Sequence, residues 1–241
     1  MATDLEAGLL GAVRMMLLTA ALITPLEVLW PANEGQRLLR RGLGLDLVLA
    51  GLMPLTGRAL GGALVGGLVG LLRGPLAGLH GAFGALPLGV ELLIAVVLSD
   101  LCMYGAHRLS HAVPALWRLH RWHHSSAELD WVSAHRQHPL EVAWHMLAAN
   151  LPVALLGLPV ESVLGWVLLQ RLHTAFVHAN VNIGAGPWER VIGGPRFHRW
   201  HHSADRANLN YASLLPLWDV LFGSFDLPAG APERTGLGGR A

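Results

Sequence analysis

The sequence predicts an all-α, multi-pass integral membrane protein. We expect a helical bundle of about three spans plus a helical hairpin, with a histidine-rich helical cap on the cytoplasmic side. Of its 241 residues, 53% are apolar and 14% are charged, whereas an average soluble domain has about 25% charged residues. The chain also contains five long apolar stretches, which are too many for a soluble core of this size. The alternative is a soluble protein whose helices are all buried.

Each apolar stretch has the length of a membrane helix or of one arm of a hairpin. A bilayer core ~30 Å thick is crossed by about 20 mostly apolar residues in a helix. The predicted spans are residues 9–30, 47–72 and 84–106, and the hairpin arms are 140–156 and 160–177, joined by Gly157-Leu158-Pro159. The glycine-rich residues 74–82 are expected to form a loop or a short re-entrant segment. The acidic start of the chain favours an anchored first helix over a cleaved signal peptide.

Arginine placement predicts the orientation of these spans. If the spans alternate, one side of the membrane receives Arg37, Arg40, Arg41, Arg108, Arg118, Arg121 and Arg136. Loops rich in Arg stay in the cytoplasm, so this side is predicted to be cytoplasmic. Arg73 falls on the other side. The hairpin returns the chain to the arginine-rich side, which therefore holds the histidine-rich segments.

Histidine is over-represented, with 14 copies, and most of these occur in four clusters. The clusters are His107 with His111, His120 with His123 and His124, His173 with His178, and His198 with His201 and His202. The second and fourth clusters have the identical sequence HRWHHS. Residues three and four apart share one face of a helix, so each triplet can direct its imidazoles to one point. We therefore predict a metal site.

The number of histidines indicates two ions, because one ion takes about four to six ligands. Imidazole suits iron, zinc, copper and nickel. The single cysteine, Cys102, excludes a thiolate zinc site and an iron–sulfur cluster. Haem is an alternative, but it would use only two of the histidines. A net charge of +1 gives no indication of nucleic-acid binding.

Together these segments resemble the fatty acid hydroxylase and sterol desaturase superfamily of membrane di-iron enzymes. The resemblance rests on residues 100–111 (DLCMYGAHRLSH), 119–125 (LHRWHHS), 136–141 (RQHPLE), 178–180 (HAN), 197–202 (FHRWHH), 210–211 (NY) and 218–223 (WDVLFG). They run in the family's order through about half of the chain.

The resemblance implies two iron ions, cycling between Fe²⁺ and Fe³⁺, held by histidines. The implied ligands are His107, His111, His120, His123, His124, His198, His201 and His202, together with His178, which matches an isolated histidine of the family. His173 is a further candidate, one residue out from a His-x-x-x-His spacing. Candidates for orienting the ligands are Asp100, His138, Glu141, Asn180, Asp205 and Asn210. His135 and His145 are not expected to be ligands.

The implied activity is O₂-dependent hydroxylation or desaturation of a lipid C–H bond. The sequence has no haem-binding His-Pro-Gly-Gly segment and no dinucleotide fingerprint, so a separate electron donor is expected. The alternatives are a carotenoid ring hydroxylase, a metal- or haem-binding membrane protein without catalysis, and a zinc hydrolase acting on lipid. Zinc could also replace iron on overexpression. The predicted organisation is 1–95 as membrane helices, 96–227 as the catalytic domain and 228–241 as a flexible tail.

Overall fold

The chain is all-helical, as the sequence predicts. The computed structural model describes residues 2–53, 55–78, 86–158, 160–184, 186–206 and 208–238, with backbone only at 2–9 and 160–164. The α-helices in this part are α1 Ala2–Leu29, α2 Leu43–Leu52, α3 Gly57–Leu72, α4 Leu88–Ala112, α5 Pro114–His120, α6 Pro139–Leu155, α7 Val160–His178, α8 Pro195–His201 and α9 Leu217–Leu221. Short 3₁₀ turns cover His123–Ser125, Ser133–His135 and Gly186–Arg190. Strands are absent from these residues, which contain only two isolated β-bridges.

Within the described residues, three helical stretches are long and apolar enough to cross a membrane: Leu10–Leu29, Leu43–Leu72 and Leu88–Ala112. They confirm the three predicted spans, with two differences in detail. The second stretch consists of two helices, α2 and α3. The third continues six residues beyond the predicted end at 106, where His107 and Ser110 turn inward and are buried. Residues 79–82 of the predicted loop, with His80, lie outside the described residues, as does Pro159 of the predicted hairpin turn.

Helix α3 lies very close to α6, and two glycines permit this. A Cβ atom added at Gly57 would lie 2.7 Å from the Pro139 carbonyl oxygen and 2.7 Å from the Val142 Cβ. One added at Gly61 would lie 2.9 Å from the Met146 Cβ. Small residues four apart allow two membrane helices to approach each other in this way. The contact fixes α6, which carries Glu141 at its cap end.

Buried charges connect the N-terminal helices to the histidine-rich part. The Glu27 carboxylate, near the end of α1, accepts hydrogen bonds from the backbone N–H groups of Trp131 and Asn180. The Arg40 guanidinium bonds to Asp46 at 2.7 Å and to Asp130 at 2.5 Å. Arg136 bonds to the same Asp46 at 2.6 Å. Arg40 and Arg136 are therefore neutralised in ion pairs, and the orientation argument depends on the other arginines.

Residues 228–238, expected from their composition to be flexible, make specific contacts. The Thr235 hydroxyl donates to the Ala127 carbonyl at 2.6 Å, and the Gly236 N–H donates to the His202 carbonyl at 3.1 Å. Arg234 pairs with Asp205 at 2.5 Å. This segment therefore contacts the loops that follow both HRWHHS motifs.

Candidate metal centre

The clustered histidines come from four separate segments of the chain. His107 and His111 lie one turn apart near the end of α4, and His120 is the last residue of α5. His123 and His124 lie in the 3₁₀ turn that follows. His178 ends α7, and the last triplet lies on α8 and its C-cap. The packing of α7 on α8 and of α4 on α6 brings these segments together.

Five of the histidines form the first group: His107, His111, His120, His124 and His201. One ring nitrogen of each lies within 4.8 Å of those of the others. The His120 Nε2 atom is central, at 3.1 Å from the His107 Nε2, 3.0 Å from the His111 Nε2 and 3.1 Å from the His124 Nε2. All five are buried except His111, which is half-buried.

Four buried histidines form the second group: His123, His178, His198 and His202. The His178 Nε2 atom lies 3.0 Å from the His123 Nε2 and 3.0 Å from the His198 Nε2. The His202 Nε2 atom lies 3.1 Å from the His198 Nε2. The second group is therefore as tightly convergent as the first.

The two identical motifs contribute to both groups in opposite ways. His120 and His124 join the first group while His123 joins the second. In the other motif His198 and His202 join the second group and His201 joins the first. The rings of His124 and His202 stack with centroids 4.3 Å apart. The two groups are thus adjacent and interleaved, which is the arrangement expected of a two-metal centre.

Hydrogen bonds alone do not explain this packing. A single nitrogen such as the His120 Nε2 cannot bond at once to three neighbouring ring nitrogens, since each neutral ring has one N–H. The His201 Nε2 atom is buried and has no hydrogen-bond partner in the described part of the chain. Imidazole nitrogens bind divalent metals at about 2.1 Å, so two of them at right angles around one ion would be ~3.0 Å apart. The donor sets therefore fit metal ions, and all-imidazole sites suit iron, zinc, copper and nickel.

Burial keeps the cluster histidines neutral. It lowers the pKa of His120, His124 and His202 well below the ordinary value near 6.5, and neighbouring imidazoles lower it further. The same causes lower the pKa of His123, His198 and His201. Only a neutral imidazole offers a lone pair to a metal, so these groups are in the form that binds metal at neutral pH.

The second ring nitrogen of four histidines is held by an oxygen acceptor. The His120 Nδ1–H group donates to the Glu141 carboxylate at 2.5 Å. Backbone carbonyls accept from the others: Tyr211 from His107 at 2.7 Å, Leu209 from His201 at 2.8 Å and Thr174 from His178 at 2.7 Å. Such bonds fix the tautomer and aim the free Nε2 lone pair at the metal position. Sequence reasoning found Glu141 but missed the carbonyls.

A backbone signal for two of those carbonyls is present in the sequence. Asn208 and Asn210 have positive φ angles of 63° and 56°, a conformation that Asn tolerates better than most residues. The alternating Asn-Leu-Asn-Tyr segment therefore bends sharply, and this bend presents the Leu209 and Tyr211 carbonyls to the histidines.

The other residues expected to orient ligands bond elsewhere. Asp100 accepts from the backbone N–H groups of Leu214 and Leu215 and from the Trp218 indole. Asn210 bonds to the Phe197 carbonyl and to the backbone of Asp226. Through these hydrogen bonds the two residues shape the loops around the centre.

The remaining three candidates have local or peripheral partners. Asn180 exchanges hydrogen bonds with the backbone of Asn33, and Asp205 pairs with Arg234 near the surface. The His138 Nδ1 atom caps α6 by accepting from the Leu140 N–H.

The structure leaves His173 apart from both groups. Its Nε2–H group donates to the Gly193 carbonyl at 2.8 Å, so this nitrogen is already engaged. The residue four positions before His178, which shares its helical face, is Thr174. His173 lies one position earlier and therefore on a different face. His145, not expected to be a ligand, lies beside the first group with its Nδ1 atom 3.9 Å from the Glu141 carboxylate.

A cavity of about 230 Å³ ends on the histidines of both groups. His107 and His120 of the first group line it, as do His123, His178 and His198 of the second. Its other walls come from α1, α2, α3, α4, α6 and α7 and are mostly apolar. Flexible methionines contribute strongly: Met15, Met16, Met103 and Met146. Methionine adapts to irregular apolar shapes, so this cavity suits a hydrocarbon segment.

Comparison with known proteins agrees with this geometry. The model of the fatty acid hydroxylase family matches residues 92–224. The chain is 35% identical to the ornithine lipid hydroxylase OlsE of Rhizobium tropici, over 63% of this chain and 46% of that protein. It is 32% identical to human alkylglycerol monooxygenase, over 53% of this chain and 28% of that protein. With chicken methylsterol monooxygenase 1 it shares 31% identity, over 53% of this chain and 43% of that protein.

The chain spans less than half the length of these curated relatives. No solved structure matches it. The family match nevertheless covers more than half of the chain and includes all nine histidines of the two groups. The protein therefore belongs to the fatty acid hydroxylase family.

Proposed function

We propose that this protein is a membrane-bound di-iron oxygenase that hydroxylates or desaturates a lipid C–H bond, using O₂ and electrons from a separate donor. The observation that carries the proposal is the cavity of about 230 Å³ that ends on both histidine groups. The names of its relatives describe hydroxylation or monooxygenation of lipids, which supports a lipid substrate here.

The proposed ligands divide into two sets. His107, His111, His120, His124 and His201 hold one ion, and His123, His178, His198 and His202 hold the other. Bound iron supplies the O₂ activation that attack on an unactivated C–H bond requires and that side chains cannot supply. His173 is not among the proposed ligands, because it belongs to neither group of converging ring nitrogens in the described residues.

The chain's own residues position these groups and the substrate. Glu141 keeps the proton of His120 on Nδ1, and the Tyr211 and Leu209 carbonyls do the same for His107 and His201. Every Nε2 lone pair of these three then faces inward. The apolar cavity walls exclude water and direct a hydrocarbon segment toward the histidines. Hydroxylation and desaturation need the same site, so both outcomes, including hydroxylation of a carotenoid ring, remain within the proposal.

The haem alternative conflicts with the packing of the rings. Nε2 atoms 3.0–3.1 Å apart leave no room for a porphyrin between any two of them. A zinc hydrolase or a metal carrier without catalysis would use the same ligands. Metal content and O₂ uptake separate these alternatives.

The test is metal analysis of gently purified protein after anaerobic reconstitution with iron. We expect two irons per chain, one for each histidine group, and loss of the first group's iron in His201→Ala. His173→Ala is the matched control and should keep both ions. O₂ uptake with a mixed lipid extract, and mass analysis for an added oxygen or lost hydrogens, would then identify the reaction.

Two results would contradict the proposal. One is no iron above the His201→Ala level in wild-type protein whose folding is verified by circular dichroism. The other is iron loading without O₂ uptake in the presence of a reductant and any lipid class tried, which would favour a carrier. Equal iron loss in His173→Ala and His201→Ala would contradict the ligand assignment.

A further inference from the structure

Two arginines line the same cavity as the histidines. Arg58 is the second residue of α3, and Arg171 lies on α7. Both side chains are half-buried. The cavity is otherwise mostly apolar, so two guanidinium groups are an unexpected feature of its wall.

Neither arginine has an ion-pair or hydrogen-bond partner for its guanidinium among the described residues. The contrast with Arg40 and Arg136 is sharp, because these are held by Asp46 and, for Arg40, also by Asp130. Arg58 and Arg171 are also close enough to repel each other electrostatically. Two like charges facing one cavity without a carboxylate are costly unless a ligand supplies the anion.

The positive charges of the two arginines affect a third residue of the cavity wall, His135. His135, in the 3₁₀ turn Ser133–His135, lines the cavity beside the two arginines. Burial, together with the positive charges of Arg58 and Arg171, lowers the pKa of His135 to about 4 against the opposing effect of Asp46. His135 is therefore neutral, and the arginines are the positive groups of this part of the cavity.

The position of Arg171 relates the charge to the metal centre. Arg171, Thr174 and His178 share one face of α7 and all line the cavity. The seven residues from Arg171 to His178 correspond to two helical turns, a rise of ~10 Å. Arg58 lies in Leu43–Leu72, a stretch long and apolar enough to cross a membrane, and a charged group in such a stretch that faces a cavity marks a substrate path. Through Arg171, Thr174 and His178 this path leads to the second histidine group.

We infer that Arg58 and Arg171 bind an oxyanion, a carboxylate or a phosphate, on the head group of the lipid substrate. Guanidinium groups bind both oxyanions in a bidentate manner. The inference rests on the proposed function only in taking the cavity as the lipid site. It narrows the substrate class to lipids that carry an acidic group near the carbon that reacts.

The test measures binding and does not require turnover. Purified protein in a non-ionic maltoside detergent is titrated with radiolabelled oleate, oleyl phosphate and uncharged oleyl alcohol. We expect wild type to bind the two anionic probes about tenfold or more tightly than the alcohol, as charge-assisted hydrogen bonds would provide. The double variant Arg58→Gln/Arg171→Gln should lose this preference while binding oleyl alcohol as before, which also verifies its folding.

Arg73→Gln is the matched control, because Arg73 is an exposed arginine at the other end of α3 and should keep the preference. Arg171→Lys should retain part of it, because a lysine keeps the charge but not the fork of donors. Inorganic phosphate alone should not displace oleate at equal concentration. Displacement by phosphate as effective as that by oleyl phosphate would show a free-anion site and overturn the lipid assignment.

Equal binding of oleate and oleyl alcohol by wild type, or equal loss of preference in Arg73→Gln, would also overturn the inference. Iron content distinguishes a failure of this inference from a failure of the proposed function. Anion preference in a protein that holds no iron would contradict only the proposed function. Iron and O₂ uptake without anion preference would contradict only this inference.

Discussion

Glu141 is the carboxylate that accepts a hydrogen bond from the central histidine of the first group, His120. It is 1% exposed, and its carboxylate lies 2.5 Å from the His120 Nδ1 and 3.9 Å from the His145 Nδ1. Its position as the third residue of α6 also completes a capping box with His138. A single carboxylate therefore fixes the start of the helix and the tautomer of the central histidine.

We expect Glu141→Gln to weaken iron binding by about 10–100-fold, the usual effect of removing the acceptor behind a metal-bound histidine. The amide has the shape of the carboxylate but no negative charge, so the His120 ring becomes a poorer donor to the metal. Competitive chelation titration of the reconstituted protein measures the change. Asp205→Asn is the control, since Asp205 pairs with Arg234 away from the histidines. A loss in Asp205→Asn as large as that in Glu141→Gln would contradict this assignment.

The sequence could predict which histidines converge, but not how they divide. Helical spacing places His120, His123 and His124 on one face, yet His123 enters the other group from its two neighbours. That division depends on the 3₁₀ turn after α5 and on how α8 packs on α7, which spacing does not encode. The supporting carbonyls of Leu209 and Tyr211 are backbone groups, which every residue carries. Asn208 and Asn210 indicate a bend at this point, but they do not indicate that the carbonyls of the bend reach the histidines. Asp100 was predicted to orient a histidine ligand, because a carboxylate close to the ligands in sequence is a suitable acceptor. Such a carboxylate has several possible partners, and in the structure Asp100 accepts from the backbone N–H of Leu214 instead.

At the scale of elements, the α3–α6 contact determines where α6 presents Glu141. Gly57 and Gly61 face α6, whereas Gly62 and Gly66 have no atom within 4 Å of an added Cβ. The glycine-rich α3 therefore has one packed face and one open face. The sequence showed the abundance of glycine but not which glycines make the contact, because the register of α3 against α6 is a tertiary property.

We expect Gly61→Val to destabilise the protein by about 1–3 kcal/mol more than Gly62→Val does, the usual cost of overpacking. Both changes alter helix propensity equally, so the difference isolates the contact with Met146, whose Cβ would lie 2.9 Å from the new Cβ. Thermal unfolding in detergent measures the difference, and iron content should fall with it in Gly61→Val. Equal stability of the two variants would show that α3 does not pack on α6 through this face.

At the scale of the whole molecule, hydropathy predicted the three spans because a helix that crosses a bilayer needs about 20 mostly apolar residues. The hydrogen bonds and ion pairs that connect the spans to the histidine-rich cap could not be predicted in the same way. Glu27 at the end of the first span bonds to Trp131 and Asn180, residues more than 100 positions away. Arg40, Asp46, Asp130 and Arg136 form one buried network. Such pairs are invisible in a hydropathy profile, and they show that the N-terminal helices and the cap are built as one unit.

The remaining whole-molecule prediction is that the histidine cap faces the cytoplasm. Arg37, Arg41, Arg118 and Arg121 are exposed on the cap side, whereas Arg73 is exposed at the opposite end of α3, and exposed arginines favour the cytoplasmic side. In a Cys102→Ala background, Arg37→Cys and Arg118→Cys should react with a membrane-impermeant maleimide only in inside-out vesicles. Arg73→Cys should react only in right-side-out vesicles. Labelling of Arg73→Cys from the same side as Arg118→Cys would mean that α3 and α4 do not both cross the membrane, and the reverse pattern at all three positions would place the cap outside.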